Sequence, residues 1–356
     1  MRLGICGWNL CGKTAVFEAL TGSKKAEGDH SAARAHVGVS HVADARVDFL
    51  ASAFKPDKVT YAAVEYLDLP GLIADSSAHE ANARTLAEVR QTDALIAVLR
   101  AFADPTVATA FPGIDPVRDL RRLWDELVFA DLEMADRRIK KLQADVTKPT
   151  AHQKDDLVEM AALKRIKPSL EEGKGIGTVH MTEHEDRLTR GFRFLTAKPI
   201  LVLLNRGEED TGKPLNWKES DFGYPVVAMF AKLEFELSQL SEPDRSEFME
   251  AMGIGSLAAA EIIRRCYEVL NLISFLTTAG REIRAWTIPR GTTAVNAAGA
   301  VHTDMQRGFI RAEVTAFDDF KALGSFKEAR AHGKLRLEGK DYIVQDGDVI
   351  EFRFSV

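Results

Sequence analysis

The chain has 356 residues, 46% hydrophobic and 28% charged, with a formal net charge of −6. That length suffices for two or three domains with separate cores, and the charge balance gives no global pull toward nucleic acid or anionic lipid. The three cysteines (Cys6, Cys11, Cys266) fit neither a disulfide framework nor a zinc spacing, and no apolar run is long enough to span a membrane. The composition therefore predicts a soluble, cytoplasmic protein with no membrane or DNA partner.

A short apolar run, Leu3, Ile5 and Cys6, predicts a buried strand. Gly7-Trp-Asn9-Leu10-Cys11-Gly12-Lys13-Thr14-Ala15 follows and runs on as a helix former to Leu20. This is G-x-x-x-x-G-K-S/T in a strand-loop-helix setting, the phosphate-binding loop, with a chance glycine-rich turn as the bland alternative. The glycines let backbone N–H groups turn onto phosphate oxygens, and the helix start adds its positive dipole end. Lys13 is assigned to the β- and γ-phosphates and Thr14 to Mg2+. Residues 21–42 are polar and aperiodic, the place for a mobile switch. Residues 59–68 read as a strand closing in Asp68-Leu-Pro-Gly71. In D-x-x-G the Asp supports Mg2+ through water and the Gly N–H senses the γ-phosphate, which places Gly71 beside Lys13 as a catalytic candidate.

A helix over 81–92 and an apolar strand over 94–100 continue an alternation that implies parallel strands covered on both faces. From Val117, apolar residues recur at three- and four-residue spacing (Leu120, Leu123, Leu127, Ala130, Met134), and a second amphipathic helix spans 155–170 after the break at 147–150. The pair predicts an antiparallel helical hairpin projecting from the core. The cluster Arg137, Arg138, Lys140, Lys141 is a candidate RNA contact, although the acidic residues among it suit a solvated helix face better. A helix over 183–196 leads to a strand over 199–205 that ends in Asn205-Arg206-Gly-Glu208, and a strand over 225–230 ends in Ala231-Lys232-Leu233. These two strand ends are where base and ribose contacts belong. A helix over 257–271 closes the domain, and from Phe275 short alternating strands and turns predict a small separate mixed domain.

Together these landmarks resemble the Obg-related YchF family, the Obg-like ATPases, over essentially the whole chain. The most specific stretches are Thr278-Ala-Gly-Arg-Glu-Ile-Arg-Ala-Trp286, the segment from His302 through Asp304 to Glu313, and Gly333 to Asp348, which look like that family's TGS domain. The resemblance implies an α/β fold: a Ras-like P-loop G domain (1–118 and 197–274), an inserted helical coiled-coil arm (119–196) and a C-terminal β-grasp TGS domain (275–356). It also implies an NTPase using ATP or GTP with Mg2+, linked to translation or stress and able to contact ribosomes or RNA. The expected nucleotide contacts are residues 9–15 together with Asn205, Arg206, Glu208, Ala231, Lys232 and Leu233; Thr14 and Asp68 are the expected metal ligands.

The family's N-x-x-E replaces the guanine reader N-K-x-D. An Asp at its fourth place accepts from guanine N1–H and N2–H2, donors that adenine lacks, and Glu208 is one methylene longer. The bland alternative is that Glu208 caps or solvates a turn and neighbouring backbone sets the base. This chain departs from the family pattern in several places. Leu10 stands where a potassium-coordinating Asn would, Ala32 aligns with the switch-one Thr, and the segment after Gly71 lacks the family's glycine-rich run. Leu72, family-typical, occupies the place of a water-positioning Gln, and His79 is a candidate to orient water, although a surface role suits it better. Two functions follow: a slow ATPase or GTPase switch, or a nucleotide-gated ribosome-binding module with little hydrolysis.

Overall fold

The computed structural model describes residues 1–23, 36–104, 111–145, 153–278 and 282–355. Among them the strands are β1 (Arg2–Cys6), β2 (His36–His41), β3 (Lys58–Thr60), β4 (Ala63–Asp68), β5 (Ala94–Ala101), β6 (Ile200–Arg206), β7 (Val226–Met229), β8 (Leu272–Thr277), β9 (Glu282–Pro289), β10 (Phe309–Ala316), β11 (Arg336–Glu338) and β12 (Asp348–Phe354). The helices needed below are α1 (Lys13–Thr21), α2 (Ala45–Phe54), α3 (His79–Val89), α4 (Pro116–Asp145) and α5 (Gln153–Glu171). The strands form two sheets, in the orders β2-β4-β1-β5-β6-β7 and β11-β10-β12-β8-β9-β3. The chain divides into two compact units, one of residues 2–38 and 65–261, the other of 1, 39–64 and 262–356.

In the first unit β1 pairs in parallel with β4 and β5, β5 with β6, and β6 with β7. The central strands β5 and β6 are buried along almost their whole length, as near-continuous apolar runs with cover on both faces require. Leu99, Val202 and Leu204 pack in one cluster with Leu120, Leu123 and Leu127 of α4. Pro116 opens α4, where its missing N–H leaves nothing unsatisfied. Further along, α4 and α5 bury Ala135, Ile139 and Leu142 against Leu163, Ile166 and Leu170. Arg138, one of the basic cluster, turns inward onto Glu159 at 2.5 and 2.7 Å, while Arg137, Lys140 and Lys141 stay exposed. The helix expected over 183–196 stops at Thr189 and continues as short 3-10 turns, with Arg193 left-handed at φ 47°. The break expected at 147–150 lies outside the described residues.

In the second unit α2 buries Val47 and Leu50 against Leu276, Ile283 and Val349. Each such side chain is worth about 1.5–3 kcal/mol when fully buried. This packing draws residues 39–64 into the compact unit of 262–356, whereas the domain bounds implied by the resemblance set them within 1–118. The same cause splits the strand expected over 59–68. Its first part, β3, pairs with β9 in the second sheet, and its last part, β4, pairs with β1 in the first. Period-two alternation carries no mark of which sheet a strand joins. Among the described residues no helix is long and apolar enough to cross a membrane.

Candidate functional site

The loop after β1 depends on glycine at one decisive point. Gly12 is left-handed at φ 92°, and a Cβ there would fall on the side-chain amide of Asn205. Only glycine allows both that backbone turn and that approach. The turn brings Lys13 to the start of α1, where its side chain is 7% exposed and Nζ donates to the Trp8 backbone carbonyl at 2.8 Å. A buried ammonium needs such a partner, and it retains further N–H donors for an anion. The Thr14 hydroxyl donates to Asp68 Oδ2 at 3.0 Å. Asn9, Leu10, Gly12, Lys13, Thr14, Asp68 and Gly71 all line one cavity of about 610 Å³. Ala15 lies on α1 and is not part of that lining, and Cys11 is buried beneath the loop. Burial raises the Cys11 thiol pKa and pushes that of Cys6 up to about 12, so both act as packing groups rather than reactive thiols.

The segment after Asp68 is held against the phosphate loop by backbone. Asn9 N–H donates to the Leu72 carbonyl at 2.9 Å, and Leu72 N–H donates to the Gly7 carbonyl at 3.0 Å. Gly71 permits this contact, since a Cβ there would meet the Asn9 side chain and backbone. Leu72 itself is 1% exposed and packs with Trp8, Leu69 and Leu86, facing the core instead of the cavity. Asn82 of α3 clamps the next residue by exchanging two 2.9 Å hydrogen bonds with the Ile73 backbone. His79 turns toward the arm, with Nε2 3.3 Å from Glu133 and its ring edge-on to Phe129, and it does not line the cavity. Ala32, aligned with the first switch, lies outside the described residues.

At the ends of β6 and β7 the expected base-reading residues divide. Asn205 is buried and joins the two regions: its Nδ2 donates to the Cys11 carbonyl at 3.1 Å, and its Oδ1 accepts from Ala231 N–H at 3.4 Å. Arg206 stacks over Phe230 at 5.1 Å and donates to the carbonyls of Asp210 and Lys213. Glu208 and Lys232 form an exposed ion pair at 3.4 Å, and Leu233 is buried. None of these last four lines the 610 Å³ cavity.

Hydroxyl and carboxylate oxygens placed together, as in Thr14 and Asp68, are the hard donors that suit Mg2+. Among the described residues no group of three or more His, Cys, Asp or Glu could hold a metal. Two protein oxygens beside an anion-binding loop fit an ion that keeps waters and shares phosphate oxygens.

Curated relatives match the chain along its full length. A ribosome-binding ATPase YchF of Pasteurella multocida (strain Pm70) is 36% identical, covering 100% of this chain and 99% of the relative. The chain belongs to the YchF family. The Haemophilus influenzae (strain ATCC 51907 / DSM 11121 / KW20 / Rd) ribosome-binding ATPase YchF is also 36% identical, and that of Bacillus subtilis (strain 168) is 33% identical with all of both chains covered. Residues 272–355 match the family model YchF-GTPase_C, described as "Protein of unknown function (DUF933)". The solved structure of the Schizosaccharomyces pombe YchF GTPase matches with a TM-score of 0.81 at 27% identity, covering 99% of this chain and 97% of that one.

The YchF fold of this chain also brings in residues that pattern reading missed. His36, Ile73, Ala81, Arg84, Thr85 and Glu88 also line the cavity. Four of them stand at i, i+3, i+4 and i+7 on one face of α3. That spacing is visible in the sequence, but nothing there says that the face looks onto the phosphate loop. Asp131 of α4 was equally hidden. It is 0% exposed and accepts from Leu195 N–H, Thr196 N–H, the Thr196 hydroxyl and Arg90 Nη1.

Proposed function

We propose that this YchF-family chain is a Mg2+-dependent nucleoside triphosphatase that hydrolyses ATP in preference to GTP slowly, as a switch read by the ribosome. The observation that carries the reading is that Lys13 and Thr14 line one cavity with Asp68 and Gly71. Loop amides and Lys13 hold the β- and γ-phosphates, and the Gly71 N–H meets the γ-phosphate. Thr14 and Asp68 would hold Mg2+, which would supply neutralisation of phosphate charge. Asn205 ties the base loop to the phosphate loop, while Arg206, Glu208, Ala231, Lys232 and Leu233 shape the base and ribose end. Ribosome binding enters from the names of the relatives. The arm (119–196) and the TGS-like region (275–356) are the contact surfaces proposed for it.

The test is calorimetric titration of nucleotide-free protein with non-hydrolysable ATP and GTP analogues in Mg2+. Preferential uptake of the ATP analogue, abolished in Lys13→Ala, is expected; no uptake, or unchanged affinity in Lys13→Ala, overturns the reading. Ala32 in place of the switch-one Thr, and the rewritten segment after Gly71, favour a second version, a nucleotide-gated ribosome binder with little turnover. Single-turnover hydrolysis clearly above the buffer blank without ribosomes would exclude that version.

A further inference from the structure

The Trp8 side chain reaches from the phosphate loop to the first turns of α4, and the proposed chemistry does not use it. It is 5% exposed, and its edge meets the Phe111 ring at 5.1 Å and 82°. Arg122 and Arg118 of α4 stand over that same Phe111 ring at 4.1 and 5.4 Å. The Trp8 indole Nε1 donates to the Asp119 backbone carbonyl at 2.9 Å, in the first turns of α4. Its own backbone carbonyl receives the Lys13 ammonium at 2.8 Å. The flanking residues Gly7 and Asn9 carry the two backbone bonds to Leu72.

We infer that Trp8 is a positioning residue that couples the phosphate loop to the arm: it aims Lys13 through its carbonyl and registers that residue's state on α4 through its indole N–H. An aliphatic side chain could fill the same apolar space, but it would supply no donor to Asp119. The indole N–H therefore separates this role from simple packing. When phosphate oxygens draw on the remaining Lys13 donors, the pull passes to the Trp8 carbonyl and so to the first turns of α4. By linkage, a ligand that reorders α4 changes nucleotide affinity by the same factor. One buried hydrogen bond sets the expected coupling at about fivefold.

This rests on nucleotide binding, so the experiment reads binding and coupling separately. Calorimetry records uptake of a non-hydrolysable ATP analogue with Mg2+, and amide hydrogen exchange is followed at 7–14 and 116–123 with and without it. In the wild type, the analogue is expected to change exchange at both segments, by about threefold to fivefold at 116–123. In Trp8→Phe, which keeps a ring and removes the N–H, the analogue still binds and 7–14 still responds. There the response at 116–123 collapses.

An undiminished response at 116–123 in Trp8→Phe, or a wild type that binds the analogue without responding there, overturns the coupling alone. A wild type that takes up no analogue overturns nucleotide binding and the coupling with it. If Trp8→Phe does not fold, the indole N–H resonance of Trp8, assigned by replacing the other three tryptophans, carries the test in the wild type. It shifts on analogue uptake if the coupling holds, and an unshifted resonance refutes it.

Discussion

Asp131 is the point at which the arm is fastened to the nucleotide-binding core, and its removal gives a large effect that does not depend on any assumption about ligands. Both carboxylate oxygens are used: Oδ1 by Leu195 N–H at 3.0 Å and Arg90 Nη1 at 2.6 Å, Oδ2 by Thr196 N–H and the Thr196 hydroxyl, each at 2.9 Å. Arg90 adds a bond to the Ala130 carbonyl at 3.0 Å, so α3, α4 and the segment before β6 meet at one carboxylate. In Asp131→Ala, three donors and a largely buried guanidinium lose their acceptor. Breaking a buried pair from one side costs about 3–5 kcal/mol, a large part of the stability of a single domain. With a urea slope of about 2 kcal/mol/M, the midpoint of the unit holding Asp131 should fall by about 2 M. The assay is urea unfolding of the intact chain followed by far-ultraviolet circular dichroism. Arg90→Met and the double variant complete a cycle, and the double variant should be less damaging than the two single effects added together. A loss under about 1 kcal/mol in Asp131→Ala would show that water or a shifted loop replaces the carboxylate, and would refute the reasoning.

Two further outcomes follow from the same geometry. Burial raises the pKa of Glu234 to about 7 from 4.5, although it accepts a 2.7 Å bond from Ala258 N–H. A carboxyl whose folded pKa lies above its unfolded one favours folding fully below about pH 4.5 and loses that contribution as pH rises to about 7, a swing of about 3 kcal/mol. Thermal melts across that range should therefore show a pH slope that Glu234→Gln removes; an unaltered slope would assign it to other groups. Gly71→Ala places a methyl group against Asn9, whose Cα lies 2.9 Å from the added Cβ. Overpacking of about 1–2 kcal/mol predicts roughly tenfold weaker ATP-analogue binding by calorimetry with the fold intact, and unchanged affinity would mean that the contact relaxes freely.

What the sequence determined alone is the local chemistry. Gly12, Lys13, Thr14, Asp68 and Gly71 stand out by residue type at fixed spacings along one loop and one strand end, and the fold brings all five to one cavity. The central strands were legible because burial on both faces writes a continuous apolar run, and the arm because helix pairing writes a 3.5-residue period. Tertiary structure decided what depends on two distant segments meeting. The sequence carries no sign that residues 39–64 pack with the C-terminal unit, since either sheet accepts the same alternating strand. Nor does it say that Trp8 donates to Asp119, that Asp131 is the acceptor at the base of the arm, or that one face of α3 walls the phosphate cavity. In each case the partner lies in a distant segment, and a residue's own neighbours in sequence do not say which segment will meet it.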